Sequence, residues 1–243
     1  VAAVLIHELG GSLESWDLVA PGLEGALQLV RYDQRGHGGS ARVCAPYTLD
    51  DQVGDLDAVL QHTRFAQPCW LIAAAAGSAI AVEYAVRYPT LVAGIVMCAP
   101  ALDIDASRRR YLRDRADAVT RDGMAAIADA TLARSWPPML RGEGGAFECY
   151  RARLVAGDPL GYAFANRALS DIDLSARLPA ISCPCLFLAG EHDVLRPPSR
   201  VAAQAAQVPH AAFAIVPAGH LMAMQDAPAV IAKIVAFIAE SQR

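Results

Sequence analysis

Leu71-Ile72-Ala73-Ala74-Ala75-Ala76-Gly77-Ser78-Ala79-Ile80-Ala81 is the stretch on which the reading of this chain turns. An apolar run beginning at Cys69 gives way to a cluster of very small residues. A second apolar run then continues to Tyr88, where Pro89 stops it. The pattern predicts a buried strand, a tight turn and a helix that doubles back over the strand. Alanine and glycine suit such a turn because they leave room where the helix and strand backbones approach.

Similar apolar runs bounded by turn residues recur at 2–6, 27–32, 69–74, 92–98, 185–189 and 211–216. None shows the alternation of a half-wet strand, so parallel strands covered on both faces are expected. Helical patterns fill the gaps. Thr48 is placed to cap a helix over 49–62 with Val53, Leu56, Val59 and Leu60 on one face. Pro228 opens a last helix whose stripe is Val230, Ile231, Ile234, Val235 and Ile238. Strand and helix in alternation predict an α/β fold with a doubly wound, mostly parallel sheet. Between residues 101 and 178 no strand-like run appears. That segment carries Arg-rich and Ala-rich helical stretches broken by Trp136-Pro137-Pro138 and by Gly142 to Gly145. It is expected to be an inserted helical cap on a core made of 1–100 and 179–243.

At 243 residues, 54% of them hydrophobic and 19% charged, the chain can bury one large core and is not expected to be disordered. A net charge of −4 gives no electrostatic case for nucleic acid or an anionic membrane. Lys233 is the only lysine. The cysteines, Cys44, Cys69, Cys98, Cys149, Cys183 and Cys185, lack zinc-finger spacing and read as reduced thiols in a cytoplasmic protein, with no metal expected. No signal peptide or transmembrane stretch is visible. Residues 1–6 already read as buried strand, so a native segment upstream is expected to be missing.

Four further motifs stand at strand ends. His7-Glu8-Leu9-Gly10-Gly11-Ser12 follows the first strand, and Asp33-Gln34-Arg35-Gly36-His37-Gly38-Gly39-Ser40 follows the second. Ala189-Gly190-Glu191-His192-Asp193 and Pro217-Ala218-Gly219-His220 follow the last two. Together with the turn at 73–77 they resemble the α/β-hydrolase superfamily, in particular its capped branch of 3-oxoadipate enol-lactonases and aminoacrylate hydrolases. The resemblance spans the chain. It implies a nucleophile–acid–histidine order at 75, 193 and 220, with no cofactor and a small-molecule substrate. It also marks two departures. Aligned on Gly77, the serine position holds Ala75, and Glu8 replaces the usual glycine of the oxyanion loop.

The resemblance assigns His220 as base, Asp193 as the carboxylate that fixes its tautomer, and the Leu9 and Ala76 amides as the oxyanion hole. Glu191 is the second candidate acid. Asp33, Arg35 and Ser40 are expected to hold their loop. Ser78 should face into helix–sheet packing, while Ser12 and His7 stay open as site residues. Arg109 and Arg113, four apart on a helix face, could receive a substrate carboxylate by forked hydrogen bonds, or could be a solvated face. Trp136, Met139, Tyr162 and Phe164 are candidate pocket wall.

Alanine at 75 leaves three readings open. The chain is a Ser-His-Asp esterase or lactonase carrying a Ser-to-Ala change. Or it is a hydrolase in which His220 and Asp193 activate water against a small activated acyl compound: an enol-lactone, an ester, an enamine or an amide. Or it is a cofactor-independent lyase or isomerase, or a ligand-binding homologue.

Overall fold

In the computed structural model, which describes residues 1–65 and 67–242, the apolar runs become six strands. They are β1 (Ala2–Ile6), β2 (Gln28–Arg31), β3 (Cys69–Ala74), β4 (Val92–Cys98), β5 (Cys185–Gly190) and β6 (Ala212–Val216). All neighbours pair parallel, in the order β2-β1-β3-β4-β5-β6. The chain starts at β1, moves outward to β2, then crosses back to β3 on the other side of β1. Loops diverging at such a reversal leave a crevice at the carboxyl ends of the strands, where α/β sheets bind ligands. The loop after β1 and the turn after β3 flank it here.

Ten helices are described: α1 (Ala20–Leu23), α2 (Leu49–His62), α3 (Gly77–Arg87), α4 (Ala106–Asp122), α5 (Ala125–Ser135), α6 (Ala146–Ala156), α7 (Pro159–Ser170), α8 (Pro198–Ala205), α9 (Met222–Gln225) and α10 (Ala227–Ser241). Thr48 caps α2 as expected, its hydroxyl accepting from the Asp51 amide at 3.3 Å. Strand residues divide by parity between two cores. Val4, Ile6, Leu71 and Ala73 pack under α2, α3 and α8, whereas Leu5, Trp70 and Ile72 pack under α1 and α10. None of the described helices is long and apolar enough to cross a membrane.

The inner strands are covered on both faces, but the edges correct the sequence reading. In β6, residues alternate between partly buried and exposed, with Phe213 and Ile215 open to solvent. Among the described residues β6 pairs only with β5, which makes it an edge strand. β2, at the opposite edge, is likewise only partly buried.

Residues 101–178 hold α4 to α7. Among the described residues their only strand-type pairing is an isolated bridge between Asp103 and Asp173, which ties the two ends of the segment together. These helices have their own apolar cluster, including Val119, Leu132, Trp136 and Leu154. Leu221 and Met224 join it from the loop that carries His220. The same contacts therefore seat the helices and fix the histidine loop.

Candidate active site

Ala75 sits at the tip of the β3–α3 turn with φ +44°, a left-handed conformation that disfavours most side chains by on the order of 1 kcal/mol or more. Hydrogen bonds over-determine it. The Ala75 amide donates to the Cys98 carbonyl at 2.8 Å, and its carbonyl accepts from the amides of Ala101 and Ser78, both at 3.1 Å. Close packing explains Gly77: a Cβ there would lie 2.6 Å from the His7 carbonyl oxygen, so only glycine lets α3 start this near β1. A short side chain at 75 is thus held up at the strand end, aimed into the crevice.

Asp193 and His220 reach this point from the far side of the sheet. The loop after β5 is laced to the loop after β6, with Glu191 donating to Val216 and His192 to Ala218, both at 2.9 Å. Glycine at 190 allows that contact, because a Cβ there would collide with the Ala218 and Gly219 carbonyls. Asp193 Oδ2 accepts the Nδ1–H of His220 at 2.8 Å. Its other oxygen accepts the amides of Leu195 and Arg196 at 2.7 and 3.0 Å. The carboxylate can only accept, so the ring proton sits on Nδ1 and Nε2 keeps its lone pair. Burial works to raise the Asp193 carboxyl, but His220 and the two amides outweigh it, and the group stays below its ordinary range. Glu191 is exposed and makes no hydrogen bond or ion pair with His220 among the described residues, so of the two candidate acids the fold brings Asp193 to the imidazole.

A cavity opens over this pair, lined by Ala75, Ala76, Leu9, Glu8 and His220. Among the described residues neither the Leu9 nor the Ala76 amide has a protein acceptor. Two free N–H donors beside an elbow and a polarised imidazole can stabilise an oxyanion. His7 does not join them. Its Nε2 accepts the Gln34 amide at 3.0 Å and its Nδ1 donates to the Glu8 carbonyl at 2.7 Å, so both nitrogens hold the loop. Burial, with His37 beside it, pushes its pKa down to about 3.

The cavity also carries cations. Arg108, Arg115 and Arg196 all line the cavity. Arg115 is 9% exposed and Arg196 4%, yet no carboxylate lies within ion-pair distance of any of the three among the described residues. Arg115 donates to Asn166 at 2.8 Å and lies over the Tyr162 ring, while one terminal nitrogen of Arg108 is buried without a partner. Burial, with Arg115 adjacent, lowers Arg108 to about 10. Unpaired buried cations are expensive, and an anionic ligand would relieve them.

A family model described as alpha/beta hydrolase fold matches residues 3–227. This chain is an α/β-hydrolase. It is 27% identical over 194 residues to 3-oxoadipate enol-lactonase 2 of Acinetobacter baylyi, covering 79% of this chain and 71% of the relative. It is 29% identical over 228 residues to a RutD protein of Pantoea ananatis named for carbamate hydrolysis, covering 92% and 82%. Among solved structures, the enol-lactonase of Burkholderia xenovorans superposes with TM-score 0.93 at 27% identity, covering 98% of this chain and 91% of the other. A thermophilic esterase of Thermogutta terrifontis, solved with malate bound, gives 0.94 at 25% identity, with 100% and 91% covered. These likenesses place the hydrolase in the enol-lactonase-like branch.

Some of the residues singled out from the sequence lie elsewhere in the hydrolase. Arg109 and Arg113 face an open groove on the outer side of α4, and Arg113 donates to Asp171 at 2.8 Å. The inward face of α4 carries Leu112, Arg115, Ala116 and Val119. Arg108 is in phase with that stripe, one position from the arginine chosen by spacing alone. The stripe was the available signal. Arg196 had none in the sequence, being placed by the loop that Asp193 organises. Trp136 is packed in the core of the inserted helices, its Nε1–H donating to the Leu140 carbonyl at 2.9 Å. Met139 points to solvent, whereas Tyr162 does line the cavity. Ser78 is buried in helix–sheet packing, and Ser12 donates to Glu14 at 2.6 Å. Asp33 and Arg35 act as loop anchors, Asp33 accepting from Leu13 and Gly39, and Arg35 pairing with Asp55.

Proposed function

We propose that this hydrolase cleaves a small, activated acyl compound that carries a carboxylate, such as the enol-lactone or ester of a dicarboxylic acid, by direct attack of water. His220 Nε2 takes a proton from water as its oxygen attacks the carbonyl carbon, and Asp193 stabilises the imidazolium that forms. The Leu9 and Ala76 amides receive the oxyanion. No acyl-enzyme forms, because Ala75 has no hydroxyl. A water nucleophile fits beside His220 where a serine side chain would otherwise stand. Helices α4 to α7 act as a cap that brings Arg108 and Arg115 to the substrate.

One observation carries the reading. A His–Asp pair with a free Nε2 faces an elbow bearing alanine, inside a cavity also lined by three arginines without carboxylate partners among the described residues. The enol-lactonase likeness and the malate bound in the Thermogutta esterase support the acidic substrate. Arg196 and Arg115 are too deeply placed to be a solvated face. The test compares the nitrophenyl half-ester of succinic acid with the corresponding methyl nitrophenyl diester. Arg108→Gln should lower kcat/KM for the half-ester by about tenfold to a hundredfold, as loss of one charge-assisted hydrogen bond predicts, and leave the diester nearly unchanged. An equal loss on both substrates would rule out carboxylate recognition by this arginine.

A further inference from the structure

Among the described residues Glu8 is the one carboxyl that lines the cavity, and the mechanism above makes no use of it. It stands where the resemblance expects glycine. Its side chain is 3% exposed, and no cation pairs with it among the described residues. Its Oε1 accepts the Ser15 hydroxyl at 2.9 Å. The Tyr150 hydroxyl is its other polar neighbour, and His220 acts on it through space. The loop is shaped around this side chain, since any Cβ at Gly11 would collide with the Glu8 carboxyl.

Position in the sheet matters as much as burial. Glu8 comes from the loop after β1, and Asp193 and His220 come from the loops after β5 and β6. The elbow after β3 lies between them in the strand order. A substrate carbonyl held over Ala75 by the Leu9 and Ala76 amides therefore has a base on one flank and a carboxyl on the other. Burial raises the Glu8 carboxyl above its ordinary range, outweighing the Ser15 and Tyr150 hydroxyls and His220, which act to lower it, and so favours the neutral form. A neutral carboxyl is a proton donor.

Building on the water-attack reading, we propose that Glu8 is the general acid of this site and delivers a proton to the leaving-group oxygen. In the first step water's O–H bond breaks, its proton goes to His220 Nε2, and the new C–O bond forms as the carbonyl electrons move onto the oxygen. In the second step that pair returns, the bond from carbon to the leaving oxygen breaks, and the leaving oxygen takes the Glu8 proton. The products are acid and alcohol. The proton held on His220 then returns to Glu8 through solvent, restoring both groups with one water consumed.

The variant is Glu8→Gln, which keeps an acceptor for Ser15 and the same volume but carries no acidic proton. It is assayed on two half-esters of succinic acid that differ only in leaving group, nitrophenyl and ethyl. A general acid matters most when the departing oxygen is basic. The kcat for the ethyl half-ester should fall by about a hundredfold or more, and that for the nitrophenyl half-ester by less than about threefold. Infrared difference spectra of the wild type against Glu8→Gln at neutral pH should contain the carbonyl band of one protonated carboxylic acid. A loss of similar size on both esters overturns the proposal, as a purely structural or oxyanion-binding role would give, and so does absence of that band. The underlying reading fails separately. If wild-type turnover of the nitrophenyl half-ester is unaffected by His220→Ala, water attack is wrong, and Glu8 falls with it.

Discussion

Replacing Asp193 by asparagine should nearly silence the enzyme without unfolding it, and the hydrogen bonds dictate why. The carboxylate accepts three donors: His220 Nδ1–H on Oδ2, and the Leu195 and Arg196 amides on Oδ1. Asparagine offers one oxygen and one NH2. The two amides come from fixed backbone, so the oxygen takes the Oδ1 place and the NH2 faces His220. Donor against donor is relieved when the ring proton moves to Nε2, and Nε2 is then no longer a base for water. The opposite orientation leaves two buried amides facing an NH2, at about 1–3 kcal/mol each. A tautomer error of this kind lowers turnover by about 10⁴ in serine proteases. Here about 10³ to 10⁴ is expected, or roughly 4–5.5 kcal/mol of barrier. The assay is kcat on the nitrophenyl half-ester of succinic acid, with a melting curve to verify the fold. Glu191→Gln is the control and should stay within about twofold, as a surface change does. If folded Asp193→Asn keeps more than a tenth of wild-type kcat, the assignment of acid and base is wrong.

Two other outcomes test the site and its support. Phosphonate or sulfonyl reagents directed at serine should leave the unmodified protein unlabelled and active, whereas Ala75→Ser should take up one equivalent at residue 75 by mass spectrometry. A stoichiometric adduct at Ser78 or Ser12 on the original sequence would show a substitute nucleophile. His7 concerns stability. Its folded pKa is depressed to about 3, so the unfolded chain binds the proton first. Stability is complete above the unfolded value near 6.5 and declines as pH falls from there towards 3, by up to about 1.4 kcal/mol per pH unit for this one proton. Urea titrations between pH 6 and pH 4 should show a shallower loss in His7→Gln than in the wild type; equal slopes would mean that His7 is not held neutral.

The parts of the fold that the amino acids spell out locally were legible. Period and turn chemistry placed the strands and marked 101–178 as helical, because burial on two faces and helix phase are written in neighbouring residues. The glycine at 77 and the order of the motifs likewise identified the elbow at Ala75 and put Asp193 and His220 at strand ends. Which arginines line the cavity was not legible. Residues one apart on a helix differ by about 100° in direction. Choosing Arg108 and Arg115 over Arg109 and Arg113 therefore required knowing how α4 rolls onto α7 and the histidine loop. The same holds for Trp136, whose place inside the helical cluster depends on the packing of α5 and α6. Arg196 and Glu8 join the site from segments more than 180 residues apart in sequence. Sequence by itself determined the elbow, its missing hydroxyl and the candidate His–Asp pair, since each rests on short-range pattern. Only the tertiary structure decided which charges share the cavity and go without an ion-pair partner among the described residues, because that depends on distances between elements that no local pattern encodes.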